Sequence, residues 1–137
     1  MGAVVLDASV VIALLDPADA LHTAAALAVS AARDDKADFV LPASVLAEVL
    51  VGAVADEDVD RVRTLVLDAF GPVRPLDERV AVAAAARRAR HPGLRLPDAL
   101  VLATADVDDA DAVLTGDRRW PPLDERVRLV VAGGRTD

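Results

Sequence analysis

Residues 3–17 read AVVLDASVVIALLDP, and this stretch decides the fold. Ala3 to Asp7 is a short, β-branched apolar run of the kind that forms a strand buried on both faces of a parallel sheet. Ser9 follows as a helix N-cap candidate, Val10 to Leu15 is expected to form a short helix, and Asp16-Pro17 stops it. Strand, turn and helix in one brief segment open an α/β domain.

The alternation continues outward. Asp19 to Arg33 is predicted as an Ala-rich helix, Phe39 to Leu41 as a strand, and Ala43 to about Val54 as a helix with Ser44, Glu48 and Gly52 on one line. Asp56 is a candidate cap for a helix carrying Val59, Val62, Val66 and Ala69, which Gly71-Pro72 ends. Val73 to Leu76 reads as a weak strand that Pro75 confines to an edge. Asp77 caps a helix reaching about Arg90, and Pro97 opens another with Asp98 in its first turn. Ala112 to Thr115 and Val127 to Val131 are strands, with a turn or short helix from Gly116 to Trp120 between them. The pattern implies a three-layer α/β/α domain around a central, mostly parallel sheet of about four to five strands. One such domain is expected over residues 1–132, with 133–137 a frayed tail.

Composition narrows the chemistry. The chain is 54% hydrophobic but only 2% aromatic, so its core is built from Ala, Val and Leu. Its longest uncharged stretch, Ala20 to Ala32, falls short of the ~20 apolar residues that span a bilayer. The first residues lack a basic region and carry Asp7 within the apolar run, which argues against a secretory signal and for a cytoplasmic location without membrane contact. With no cysteine, disulfides and thiolate nucleophiles are excluded. A net charge of −8 argues against broad attraction to nucleic acid, so an RNA substrate would depend on bound cations and local arginines. Candidate patches are Arg87, Arg88, Arg90 and Arg95, and Arg118 with Arg119.

Three acids stand out by isolation. Asp7 is the only charge from Met1 to Leu15, Glu48 the only one from Phe39 to Ala55, and Asp98 the only one from Leu96 to Ala105. A carboxylate in an apolar segment is costly unless exposed, paired or shared with a metal. In open parallel sheets ligands bind beyond the carboxyl ends of strands. Asp7 and Asp117 follow strands there, and Glu48 and Asp98 are expected in the first turns of helices that begin on that edge. Gathered carboxylates repel one another, and a divalent cation relieves this. All-oxygen ligation selects Mg²⁺ or Mn²⁺ over zinc. Each acid also has a plainer role open to it: Asp98 at a helix dipole, Glu48 in an ion pair, Asp7 as a cap and Asp117 in a polar turn. Ser9 and Thr115 are supporting polar candidates, Trp120 reads as a packing anchor, and His22 and His91 have no partner at metal-ligand spacing. The run Asp106, Asp108, Asp109 and Asp111 reads as a solvated helix end.

Four segments together resemble a known family: residues 4–9 (VVLDAS), 47–52 (AEVLVG), 97–100 (PDAL) and 114–120 (LTGDRRW). In order and spacing they are similar to the PIN-domain family, and within it to VapC-type toxins of bacterial toxin–antitoxin pairs. The resemblance implies a PIN-like fold and a Mg²⁺- or Mn²⁺-dependent endoribonuclease, the toxin of a type II toxin–antitoxin system. It also implies a homodimer, held inactive by a small cognate antitoxin. The family's catalytic, metal-binding acids map onto Asp7, Glu48, Asp98 and Asp117, and its polar positions onto Ser9 and Thr115. Arg118 and Arg119 are candidate RNA contacts. Arg119 stands where many relatives carry a further acid, which favours one bound metal over two, and Val51 stands where a basic residue is common. A phosphotransfer domain is a poor rival, because the only lysine, Lys36, lies in a charged loop. A catalytically silent PIN fold that only binds protein or RNA is the other rival, and retention of all four acids argues against it.

Overall fold

The computed structural model describes residues 2–133 and the backbone of residues 135 and 136. In chain order its elements are β1 (Ala3–Leu6), α1 (Ala8–Leu15), α2 (His22–Asp34), β2 (Asp38–Pro42), α3 (Ala43–Ala55), α4 (Val59–Phe70), β3 (Val73–Arg74), α5 (Glu78–Arg90) and α6 (Leu96–Val107). These are followed by β4 (Ala112–Thr115), a 3₁₀ turn at Pro121–Leu123, β5 (Val127–Val131) and β6 (Arg135–Thr136). The strands lie in the order β3-β2-β1-β4-β5-β6, all neighbours parallel except β5 with β6. The expected α/β sheet is thus five parallel strands flanked by helices, with a brief antiparallel addition. The frayed tail expected over 133–137 falls partly outside the described residues; within them, the Arg135–Thr136 backbone pairs with β5.

β1 takes the centre because its side chains can be buried on both faces: Val5 and Leu6 expose no surface. From β1 the chain builds β2 and β3 to one side, then crosses to place β4 and β5 on the other. This reversal opens a crevice at the carboxyl ends of β1 and β4, where ligands bind in such sheets. The Asp7 amide donates to the Leu114 carbonyl at 3.0 Å, holding the two strand ends together as they enter the crevice.

Small side chains let the helices lie close. Ala13 of α1, Ala25 of α2, and Ala99, Ala103 and Ala105 of α6 are fully buried beside Val10, Val11, Val101 and Leu102. Each buried Val or Leu contributes about 1.5–3 kcal/mol, so a core poor in aromatics still holds. Trp120, 1% exposed, is its largest fully buried side chain and is the packing anchor expected.

Three local expectations change. Ser9 lies inside α1, and Asp7 occupies the N-cap position without a side-chain capping bond, because both side chains turn to each other and to β4. Asp19 forms a turn, its carboxylate accepting from the Leu21 amide at 2.8 Å, so α2 starts at His22. Asp56 closes α3 rather than opening α4, whose N-cap position is Asp58. Asp77 does cap α5, accepting from the Val80 amide at 3.0 Å.

The acidic run at the end of α6 divides: Asp109 and Asp111 are exposed as expected of a solvated helix end, whereas Asp106 and Asp108 pair with arginines. Arg87, proposed above as part of an RNA patch, is buried and donates to Asp106 (2.7 Å from both Nε and Nη2) and to Asp124 (2.6 Å). Arg126 also pairs with Asp106 and Asp124, and Arg74 pairs with Asp108 at 2.9 Å. These bonds tie α5, α6 and the approach to β5 into one block. Arg126, the strongest influence, and Arg87 hold the Asp124 carboxyl well below the usual carboxylate range.

Candidate active site

The crevice is built around Asp7. Directly after β1, its side chain is 8% exposed and its Oδ2 accepts from Ser9 Oγ and from Thr115 Oγ1, each at 2.7 Å. Both hydroxyls are also acceptors: Ser9 Oγ takes the Gly116 amide at 2.9 Å and Thr115 Oγ1 the Asp117 amide at 3.0 Å. The two supporting residues therefore orient Asp7 and fasten the β4 turn to α1, and their hydroxyls are engaged. Among the described residues no hydrogen bond engages Asp7 Oδ1. A Cβ at Gly116 would lie 2.5 Å from a Leu21 methyl, so that side chain would have to shift to admit one.

Asp98 sits in the first turn of α6, as expected, whereas Glu48 sits in the second turn of α3 rather than the first. Electrostatics shows that the two belong to the Asp7 group. Partial burial, then the charges of Asp7 and Asp98, push the Glu48 carboxyl above its ordinary value, with Arg95 opposing. Burial, then Asp7 and Asp117, likewise raise Asp98, with Arg119 and Arg95 opposing. Charge thus links the four predicted acids in sequence, Glu48 to Asp7 and Asp98, and Asp98 to Asp7 and Asp117.

Asp117 differs because it has a counter-ion. Arg119 grips it with two parallel bonds, Nε to Oδ1 at 2.9 Å and Nη2 to Oδ2 at 2.6 Å, and the same Nη2 lies 3.9 Å from Asp98 Oδ2. The Arg119 bond, more than any other influence, holds the Asp117 carboxyl below its ordinary value. The buried Trp120 N–H contributes least and has no partner at hydrogen-bonding distance. Arg119, named above as an RNA contact, is in this state a ligand of the site itself, although its side chain is 70% exposed. Arg118 beside it is exposed. Arg95, named above in a candidate RNA patch, lies at the N-cap of α6 and acts on Glu48 and Asp98 by charge.

Whether this set suits a divalent cation can be judged from its donors. All are hard carboxylate oxygens, which fit Mg²⁺ or Mn²⁺. A guanidinium bridging toward two of them is a covalently attached stand-in for a cation. Among the described residues, however, no three acidic or histidine side chains already form a cage that could hold an ion. The donors fit by chemistry, while Asp117 is committed to Arg119.

Comparison with known proteins agrees with this architecture. The family described as the PIN domain matches residues 4–125. A solved toxin–antitoxin complex from Klebsiella pneumoniae is similar in structure, with a TM-score of 0.72 and 23% identity, over 90% of this chain and 94% of that one. At that identity the likeness speaks for the fold. No curated protein matches.

Proposed function

This chain belongs to the PIN-domain family, and from that premise we propose that it is a Mg²⁺- or Mn²⁺-dependent endoribonuclease, the toxin of a type II toxin–antitoxin pair. The observation that carries the reading is the convergence of Asp7, Glu48, Asp98 and Asp117 from four separate elements on one crevice, where two of them are held above their ordinary pKa by burial and mutual charge. Repulsion of this kind is costly in a protein that needs it for nothing.

Asp7, Glu48, Asp98 and Asp117 would hold the cation, which supplies a Lewis acid and a water of lowered pKa. Asp7 is the fixed point, because Ser9 and Thr115 lock one of its oxygens. Glu48, which is exposed, would accept the proton of the attacking water; the P–O bond to the leaving nucleotide breaks as the new P–O bond forms, and the leaving oxygen takes up a proton from solvent, to which Glu48 returns its own. Arg119 and Arg118 meet the RNA phosphates, and by moving to a phosphate Arg119 frees Asp117.

The partners belong to the same proposal. An apolar cleft of about 400 Å³ between α1, α2 and α4, lined by Leu14, Leu15, Leu65 and Phe70 among others, is surface that a small antitoxin would cover. A homodimer and a cytoplasmic location go with that role; among the described residues no helix is long and apolar enough to cross a membrane. A catalytically silent PIN fold is the second reading, favoured by the absence of a closed three-ligand cage among the described residues. Mapping 5′ ends of total RNA after inducing the parent and Asp7→Asn separates the two. New ends from the parent that fall at least about 1,000-fold in the variant support catalysis. Equal cleavage by a folded Asp7→Asn chain, or none by the parent, overturns it.

A further inference from the structure

Beside the carboxylates, on the side of Asp98, lies a cavity of about 360 Å³ between the α5–α6 loop and the turn after β4. Its walls include Pro92, Leu94, Trp120 and Leu123, and Arg90 and Arg119 border it. We propose that this cavity is a nucleotide subsite: it takes the base of a nucleotide flanking the scissile phosphate, while Arg90 and Arg119 take its phosphate. The inference rests on the nuclease reading of the adjoining carboxylates and adds where the substrate's base is read.

Three observations favour a nucleotide. The first is continuity, since Asp98 and Arg119 belong both to the carboxylate crevice and to the cavity lining. A group bound in the cavity is therefore one neighbour away from the reacting phosphate. The second is charge. In a chain of net charge −8, two guanidiniums and His91 border one apolar cavity. A flat, weakly polar body joined to an anion meets both features, whereas an apolar peptide side chain would offer nothing to Arg90, which makes no ion pair among the described residues, and nothing to draw Arg119 from Asp117. The third is rigidity: Leu94 and Trp120 are 8% and 1% exposed and belong to the core, so the walls are set before a ligand arrives. Trp120 is too buried to offer a stacking face and acts as wall. The volume is within the range of small-ligand sites, about 300–1,000 Å³. Asp98, the one acid in the lining, has the Arg119 Nη2 3.9 Å away, which offsets its repulsion of a phosphate.

The consequence is a cleavage preference at one position beside the cut, set by the fit of the base. AMP, GMP, CMP and UMP, with ribose 5-phosphate as the base-free probe, can be titrated into the metal-free chain while the methyl resonances of Leu94 and Leu123 are followed by NMR. At least one nucleotide is expected to bind saturably and about tenfold tighter than ribose 5-phosphate, through burial of its base against the apolar walls. Gly93→Phe fills the cavity from a position where an added Cβ meets nothing within 4 Å, and should erase that preference with an unchanged unfolding midpoint. Leu123→Phe, from the opposite wall, serves the same purpose should the first variant misfold. Equal binding of all five probes, no saturable binding, or a preference that survives both fillings overturns the proposal. The two readings fail separately. A parent that binds nucleotides in this way yet cuts no RNA with Mn²⁺ loses only the nuclease reading. A parent that cuts RNA at the same positions, and as fast, after Gly93→Phe loses only the subsite.

Discussion

Asp106, Asp108 and Asp124 lie on one side of this molecule and Asp7, Glu48, Asp98 and Asp117 on another, and the two groups differ in what balances them. The first group faces Arg74, Arg87 and Arg126 through short, partly doubled bonds. Among the described residues the second has one guanidinium in contact, that of Arg119, and the more distant charge of Arg95. Asp106 and Asp124 are accordingly held below the ordinary carboxylate value, and Glu48 and Asp98 above it. A carboxylate whose cations are supplied by the fold stabilises the fold. A group left short of cations is available to take one from outside.

The contrast breaks most readily at Arg87. Its side chain is 6% exposed and that of Asp124 7%, so Arg87→Met takes one of two guanidiniums from a buried acid that Arg126 still holds, and should lower the unfolding free energy by about 2 kcal/mol in urea denaturation. An unchanged midpoint would mean that this network contributes no more than surface pairs do.

Asp98→Asn should act in the opposite direction. Because the folded chain binds a proton at Asp98 more tightly than the unfolded chain does, ionisation there opposes folding at neutral pH. The metal-free variant is expected to melt roughly 2–4 °C above the parent at pH 7. This advantage should shrink as pH falls through the raised Asp98 value toward the ordinary 3.8, where the parent's carboxyl is neutral as well. For Asp106 and Asp124 the sign reverses: their stabilisation is complete above about 3.8 and is lost as pH falls through their lowered values. Calorimetric scans of both chains from pH 7 to pH 4 check the sign, and a variant that melts lower throughout refutes it.

The smallest effect concerns Arg119. Arg119→Gln frees Asp117 and should raise Mn²⁺ affinity several-fold, more than Arg95→Gln, which removes a charge that makes no hydrogen bond to the acids. Equal gains in isothermal titration would reduce Arg119 to a distant charge.

Much of this was legible in the sequence, for identifiable reasons. The β1 run, the Asp77 cap and the lone Asp7, Glu48 and Asp98 are local signals, and the order of strands and helices carried them to one sheet edge. The misread residues depend on long-range partners. Ser9 looks like a cap until Thr115 and Gly116, more than a hundred residues away, claim its neighbour and its hydroxyl. Arg87 and Asp106 both look solvated until α5 and α6 pack together. The Arg119 grip on Asp117 spans two residues, but its geometry needs the turn that Thr115 and Gly116 anchor. The cavity beside Asp98 joins a loop and a turn that no spacing rule connects.

The central claim, that the Asp7 group is short of cations and is built to take one, is tested most directly by Mn²⁺ titration of the metal-free parent and of Asp98→Asn. The account predicts saturable binding to the parent that disappears in a variant which melts no lower than the parent. No saturable binding to the parent, or equal binding to both chains, would contradict it.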